Sequence, residues 1–145
     1  MKANRPKKPT ILVVDDDTVM LETLTKLLTH FQFNVIPQSS SVKALATLQE
    51  RCDISIMLCD YDMPEVNGLD LALAAKKRNP VMPVFILSGS YPPELPVAPW
   101  DAWFLKGAPI TELIRKLNTV LPFTGVKNVP PAGAKENHDA LRFHS

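Results

Sequence analysis

The stretch that decides the fold is Thr10-Ile11-Leu12-Val13-Val14-Asp15-Asp16-Asp17. Its unbroken aliphatic run, rich in β-branched side chains, leaves no polar face, so it predicts a strand covered on both sides. The acids stop it. Beyond them Leu21, Leu24, Leu28 and Phe31 share one helical stripe with Met20 and Leu27 beside it, while Glu22, Lys26 and His30 lie elsewhere. That spacing predicts a helix from about Thr18.

The alternation continues. Residues 33–37 make a second strand, and Ser39, Ser40 and Ser41 offer N-cap hydroxyls to a helix carrying Val42, Leu45, Ala46 and Leu48. Residues 54–59 form a third strand, 69–78 a third helix, 83–87 a fourth strand and 103–105 a fifth. Pro109 suits a first helical position, and Ile110, Leu113, Ile114, Leu117 and Leu121 follow at helical spacing. Strands joined by helix-length crossovers predict an α/β domain with a parallel sheet between two helical layers, which binds ligands beyond the carboxyl ends of its strands.

The sequence has 145 residues, enough for one domain, here expected at 10–121. Residues 1–9 hold Lys2, Arg5, Lys7 and Lys8 without apolar period and predict a flexible basic arm; residues 122–145, with Pro122, Pro130 and Pro131, predict a disordered tail. Sixteen Lys and Arg against fifteen Asp and Glu remove whole-chain charge as an argument for a nucleic-acid partner. A short terminal run of bases without a base-reading element adds none. Two cysteines are too few for a disulfide framework; Cys52 and Cys59 are expected in the core and His30 at the surface. With so few cysteines and no basic stretch followed by an apolar run near residue 1, a reducing, cytoplasmic setting is expected, and since no apolar run approaches the roughly 20 residues that span a bilayer, no membrane partner is expected.

Chemistry gathers at the strand ends. Asp15, Asp16 and Asp17 follow the first strand, Asp60 ends the third, Ser88 follows the fourth and Lys106 follows the fifth. Singly, each has a plain explanation: a helix cap for the first three, a turn before Met63-Pro64 for Asp60, a turn cap for Ser88 and a solvated charge for Lys106. Together at one sheet edge, carboxylates, a hydroxyl and an ammonium are the parts that hold a divalent cation and a phosphoryl group.

At this point the sequence resembles the receiver domain of bacterial two-component response regulators. The resemblance covers residues 10–121. It rests on Ile11-Leu12-Val13-Val14-Asp15-Asp16, on Leu58-Cys59-Asp60-Tyr61-Asp62-Met63-Pro64 with Asn67-Gly68-Leu69, on Leu87-Ser88-Gly89 and on Phe104-Leu105-Lys106. It implies a flavodoxin-like, doubly wound five-stranded sheet of order 2-1-3-4-5. It also implies Asp60 as phosphoacceptor, Asp16 and Asp60 as Mg²⁺ ligands with the backbone carbonyl of Asp62, and Asp15 acting through water. Lys106 would balance the phosphoryl charge, Ser88 would bond one of its oxygens, and Ser88 with Trp103 would form the switch, an ordinary buried Trp being the alternative for Trp103. Asp17 is expected only to cap the helix. The carboxylate of Asp62 is either a solvated loop acid or a modulator of phosphoryl lifetime.

Two departures accompany the resemblance. Ser90 to Pro99 carries Pro92, Pro93, Pro96 and Pro99, which excludes the regular helix receivers usually place after the fourth strand and predicts a Pro-rich loop there. Gly107 stands after the lysine, where receivers commonly have proline with a cis bond, so a trans linkage is expected.

The expected activity is that of a stand-alone receiver, not an enzyme with a turnover substrate. It takes a phosphoryl group from a histidine kinase or phosphotransfer protein and signals through a protein contact. A phosphorylation-independent interaction module of the same fold is the alternative. A haloacid-dehalogenase-like phosphatase, which would also use an Asp-x-Asp pair, fits poorly: its motif belongs after the first strand, and Pro64 stands where Thr or Val is required.

Overall fold

In the computed structural model, which describes residues 8–121, the chain runs β1 (Thr10–Val14), α1 (Thr18–His30), β2 (Asn34–Gln38), α2 (Ser41–Glu50), β3 (Ile56–Asp60), α3 (Gly68–Arg78), β4 (Val84–Ser88), β5 (Ala102–Leu105) and α4 (Ile110–Val120). The expected arm through residue 7 and the expected tail, 122–145, lie outside the described residues. Residues 8 and 9 are tied to the sheet: the Asn34 amide N–H donates to the Pro9 carbonyl and its side chain to the Lys8 carbonyl.

All strands pair in parallel, in the order β2-β1-β3-β4-β5 that the resemblance implied. The reason is burial. Ile11 and Val13 of β1 enter the apolar layer beneath α1 and α4, with Leu24, Leu28, Leu58, Phe85, Leu113 and Leu117. Leu12 and Val14 enter the opposite layer beneath α2 and α3, with Ala44, Leu48, Met57, Cys59, Leu71 and Ile86. A strand apolar at four consecutive positions, Ile11 to Val14, satisfies both layers at once.

The register aligns the carboxyl ends. Val14 pairs with Cys59, Asp60 with Leu87 and Ser88 with Leu105. Asp60 and Ser88 are therefore the last residues of their strands, and Asp15 and Lys106 come directly after theirs. The third and fourth strands were expected to stop one residue earlier, at 59 and 87; the ladder runs on through the polar residue because its neighbour is still there to bond, which side-chain type does not encode. Phe33, expected in the second strand, precedes it and is 2% exposed.

Between β4 and β5 there is no helix, as the prolines required. Val84 and Ile86 are nevertheless fully buried, because Trp100, Trp103 and Tyr61 pack on their side of the sheet. The three rings form one cluster: Trp103 lies 5.1 Å from Tyr61 and 5.0 Å from Trp100 between centroids, and Tyr61 meets Trp100 edge-on at 6.0 Å. Aromatic contacts of this kind contribute about 1 kcal/mol each beyond area burial. Two rings from the loop and β5 thus do the covering that a helix would do.

One core expectation is corrected. Cys59 is buried, but Cys52 is exposed beyond the end of α2, where its sulfur accepts from the Arg78 guanidinium at 3.4 Å. α2 ends before Cys52 can turn inward, and Ile54 (8% exposed) takes the core position.

Candidate functional site

Four chain segments deliver the polar cluster. Asp15, next after β1, is 1% exposed; its carboxylate accepts from the Asp17 amide at 2.9 Å, and its own N–H is held by the Gln38 carbonyl. Asp17 points away and caps α1, accepting from the amides of Val19 and Met20. Asp60 is 7% exposed, and Asp16 lies at the surface. Oxygens from Asp15, Asp16 and Asp60 all lie within 4.8 Å of one another. The Lys106 ammonium stands 3.5 Å from Asp15 Oδ2 and 3.7 Å from Asp60 Oδ1, and its backbone N–H donates a hydrogen bond to the Ser88 carbonyl.

Three carboxylates and one ammonium leave this cluster at a formal charge of −2. Each carboxylate pair repels by at least about 3 kcal/mol at an effective dielectric of 20, and the lysine offsets only part of this once burial has stripped water from the group. The carboxyl groups show it. Burial pushes Asp60 up to about 6 against the pull of Lys106, with Asp15 and Asp16 pushing the same way; burial likewise raises Asp15. Burial between the same acids raises the Cys59 thiol, whose S–H donates to the Asp60 carbonyl; it stays protonated. A hard, oxygen-preferring dication matches this donor set in chemistry and charge.

Ser88 is fully buried at the end of β4, and its Oγ accepts from the Ser90 amide at 3.1 Å. The Trp103 indole N–H donates to the Ser90 carbonyl at 2.8 Å. Ser90 is thus held on one side by Ser88 and on the other by Trp103. The carboxylate of Asp62 is exposed and outside the acid cluster. No cis peptide occurs among the described residues, and Gly107 adopts φ 98°, a left-handed conformation that glycine tolerates without strain.

Two positioning residues were not singled out from the sequence. Gly68 opens α3 against the acceptor strand: its N–H bonds the Tyr61 carbonyl at 2.8 Å, and a Cβ there would sit 2.7 Å from both the Asp60 oxygen and the Tyr61 Cα. Its place in the Asn67-Gly68 pair was visible; the close approach was not. Ser41, by sequence one of three possible caps, leaves capping to Ser40 and instead pins the loop after Asp60, donating to the Pro64 carbonyl at 3.0 Å and accepting from the Val66 amide at 3.2 Å. Nothing in a run of three serines marks which one turns inward.

A parallel sheet of order 2-1-3-4-5 with an acid cluster and a lysine at its carboxyl edge defines the receiver class of two-component signalling. The sequence model described as the response regulator receiver domain matches residues 11–98, and the chain belongs to that family. The two-component response regulator ORR13 of Oryza sativa is 32% identical over 118 residues, covering 77% of this chain and 98% of its own length. ARR21 of Arabidopsis thaliana is 37% identical over 82 residues, 56% of this chain, and TcrX of Mycobacterium tuberculosis 29% over 125 residues, 83% of this chain. This chain spans only 13% and 53% of those two proteins. Among solved structures, a CheY-like response regulator receiver domain protein from Methanospirillum hungatei superposes with a TM-score of 0.72 at 26% identity, covering 78% of this chain and 93% of its own. The response regulator TrrA of Thermotoga maritima, solved in complex with Mg(2+)-BeF, shares the fold with a TM-score of 0.73 at 23% identity, over 78% and 99% of the chains.

Proposed function

We propose that this chain accepts a phosphoryl group on the Asp60 carboxylate from a histidine kinase or phosphotransfer protein, and signals from the cytoplasm through contact with a downstream protein. The observation that carries the reading is the convergence of Asp15, Asp16, Asp60 and Lys106 at one sheet edge. With its pKa raised to about 6, Asp60 is about nine-tenths ionised at pH 7 and more basic than a free aspartate, which suits a nucleophile.

Asp16 and Asp60, with the Asp62 carbonyl and with Asp15 through water, would hold Mg²⁺; the bound ion supplies positive charge against the transferring phosphoryl oxygens. The complex of TrrA, a protein of the same fold, with Mg(2+)-BeF supports Mg²⁺ as the ion. An Asp60 oxygen forms the new O–P bond as the donor's P–N bond breaks, and the departing imidazole keeps the electron pair and takes a proton from solvent. Lys106 faces the acceptor and balances the charge added there. Ser88 donates its O–H to a phosphoryl oxygen. Because the same Oγ accepts from Ser90, and Ser90 is held by Trp103, movement of the Ser88 hydroxyl toward the phosphoryl group draws on the stem of the Pro-rich loop. That is the switch, with Trp103 as its second member.

A second reading, an interaction module indifferent to phosphorylation, is favoured by the Pro-rich loop and by Gly107 after the lysine. One experiment tests the phosphoacceptor reading. Incubation with acetyl phosphate and Mg²⁺ should add one phosphoryl group, and chelation of the ion should prevent it. A chain that stays unmodified with the ion present contradicts the phosphoacceptor reading.

A further inference from the structure

The loop that replaces a helix has an order of its own. From Tyr91 to Ala98 every residue is exposed, with Tyr91 at 81% and Val97 at 85%, and the loop's hydrogen bonds to the described body are at its two ends. Ser90 is held by Ser88 and Trp103; Asp101 is held by Lys76 and by the Val84 amide. Between these anchors the sequence repeats an apolar residue followed by proline every third position: Pro92-Pro93, Leu95-Pro96, Ala98-Pro99.

A polyproline II helix has three residues per turn, so this repeat puts Pro93, Pro96 and Pro99 along one edge and Pro92, Leu95 and Ala98 along the next. Glu94 and Val97 fall on the third edge. The backbone is largely committed to that form. Each proline fixes its own φ, and the residue before each is driven out of the helical region. Within 91–99 only Glu94 and Val97 escape both restrictions, and the chain bends at Pro96-Val97 and again at Pro99. Straightening around the unrestricted Val97 aligns the repeat from Pro92 to Ala98, leaving only the bend at Pro99 where the loop rejoins the body. A groove lined by aromatic rings reads two adjacent edges of such a helix and leaves the third in solvent.

We propose that residues 92–99 are a ligand for a protein domain that binds polyproline II segments in an aromatic-lined groove, presented at a fixed place by the anchors at Ser90 and Asp101. The interaction is independent of the phosphoryl reading: the loop is exposed with the acceptor unmodified, so Asp60→Asn should bind as the parent does.

The test titrates the full chain with a panel of purified SH3, WW and EVH1 domains, followed by calorimetry. At least one should bind saturably. A scan of the exposed loop should then show a three-residue period: Leu95→Ala and Pro96→Ala each weaken binding by about tenfold, while Glu94→Ala and Val97→Ser change it by less than about twofold. Circular dichroism should be unchanged in all four. Failure of every panel domain to bind, losses at Glu94 and Val97 as large as those at Leu95 and Pro96, or loop-dependent self-association of the chain in its place would overturn the proposal.

Discussion

Replacing the acceptor with its neutral isostere, Asp60→Asn, should make the protein more stable, and the gain should depend on pH in a specified way. Asp60 titrates near 6 in the folded chain against 3.8 for a free aspartate, because burial and two neighbouring acids outweigh Lys106. Between those values the folded state binds more protons than the unfolded state. Stability of the parent therefore falls as pH rises from about 4 to about 6 and is level above that. About two pKa units at 1.36 kcal/mol each give roughly 3 kcal/mol of strain at pH 7.5, and at 7% exposure solvent relieves little of it. The substituted amide carries no such charge, while Asp15 remains 3.5 Å from Lys106. In chelator at pH 7.5 the variant should unfold in urea with about 3 kcal/mol more stability and melt roughly 10 °C higher. The gap should close toward pH 4. It should also narrow in Mg²⁺, since an ion at about 100 times its Kd stabilises the parent by roughly 2.7 kcal/mol. A variant no more stable than the parent at pH 7.5 without divalent ions, or a gap unaffected by pH, would show that the Asp60 charge carries no such cost.

Other substitutions follow from the same geometry. Gly68→Ala should destabilise by about 2 kcal/mol or more, seen as a lower urea midpoint, because its Cβ meets backbone of Asp60 and Tyr61 that has no free space to move into. Ser41→Ala loses the bonds to Pro64 and Val66, and should cost about 1 to 2 kcal/mol with faster amide exchange confined first to residues 61–67. Lys106→Met removes the main influence that lowers the Asp60 pKa, so a carboxyl titration followed by NMR should place that group above its parental value near 6. Trp100→Ala uncovers Val84 and Ile86 and should cost about 2 kcal/mol while exposing surface that binds a hydrophobic dye.

How much of this is readable in the sequence depends on what kind of interaction fixes each residue. β1, apolar without a break from Ile11 to Val14, had to be buried on both faces, and from that the parallel sheet and its two layers followed. The four strand ends were readable because chemistry-bearing residues stood directly after apolar runs. The missing helix was equally plain, since four prolines in ten residues exclude it whatever the tertiary context. The inward turn of Ser41, the close approach at Gly68 and the use of Trp100 as a cover for β4 depend on which backbone lies opposite in space. Local sequence carries no record of that. Cys52 shows the same limit from the other side: a residue type usually buried is left outside because its helix ends at Glu50, two residues before it.

We propose that four converging strand ends make the carboxylate of residue 60, and no other, a phosphoryl acceptor. The most direct measurement treats the chain with acetyl phosphate and Mg²⁺, reduces the acyl phosphate with borohydride to the alcohol, and locates the altered residue by peptide mass spectrometry. The account predicts a single reduced side chain at position 60, absent when Mg²⁺ is chelated. Reduction at Asp15, Asp16 or Asp62, or no reduction at all, would contradict it.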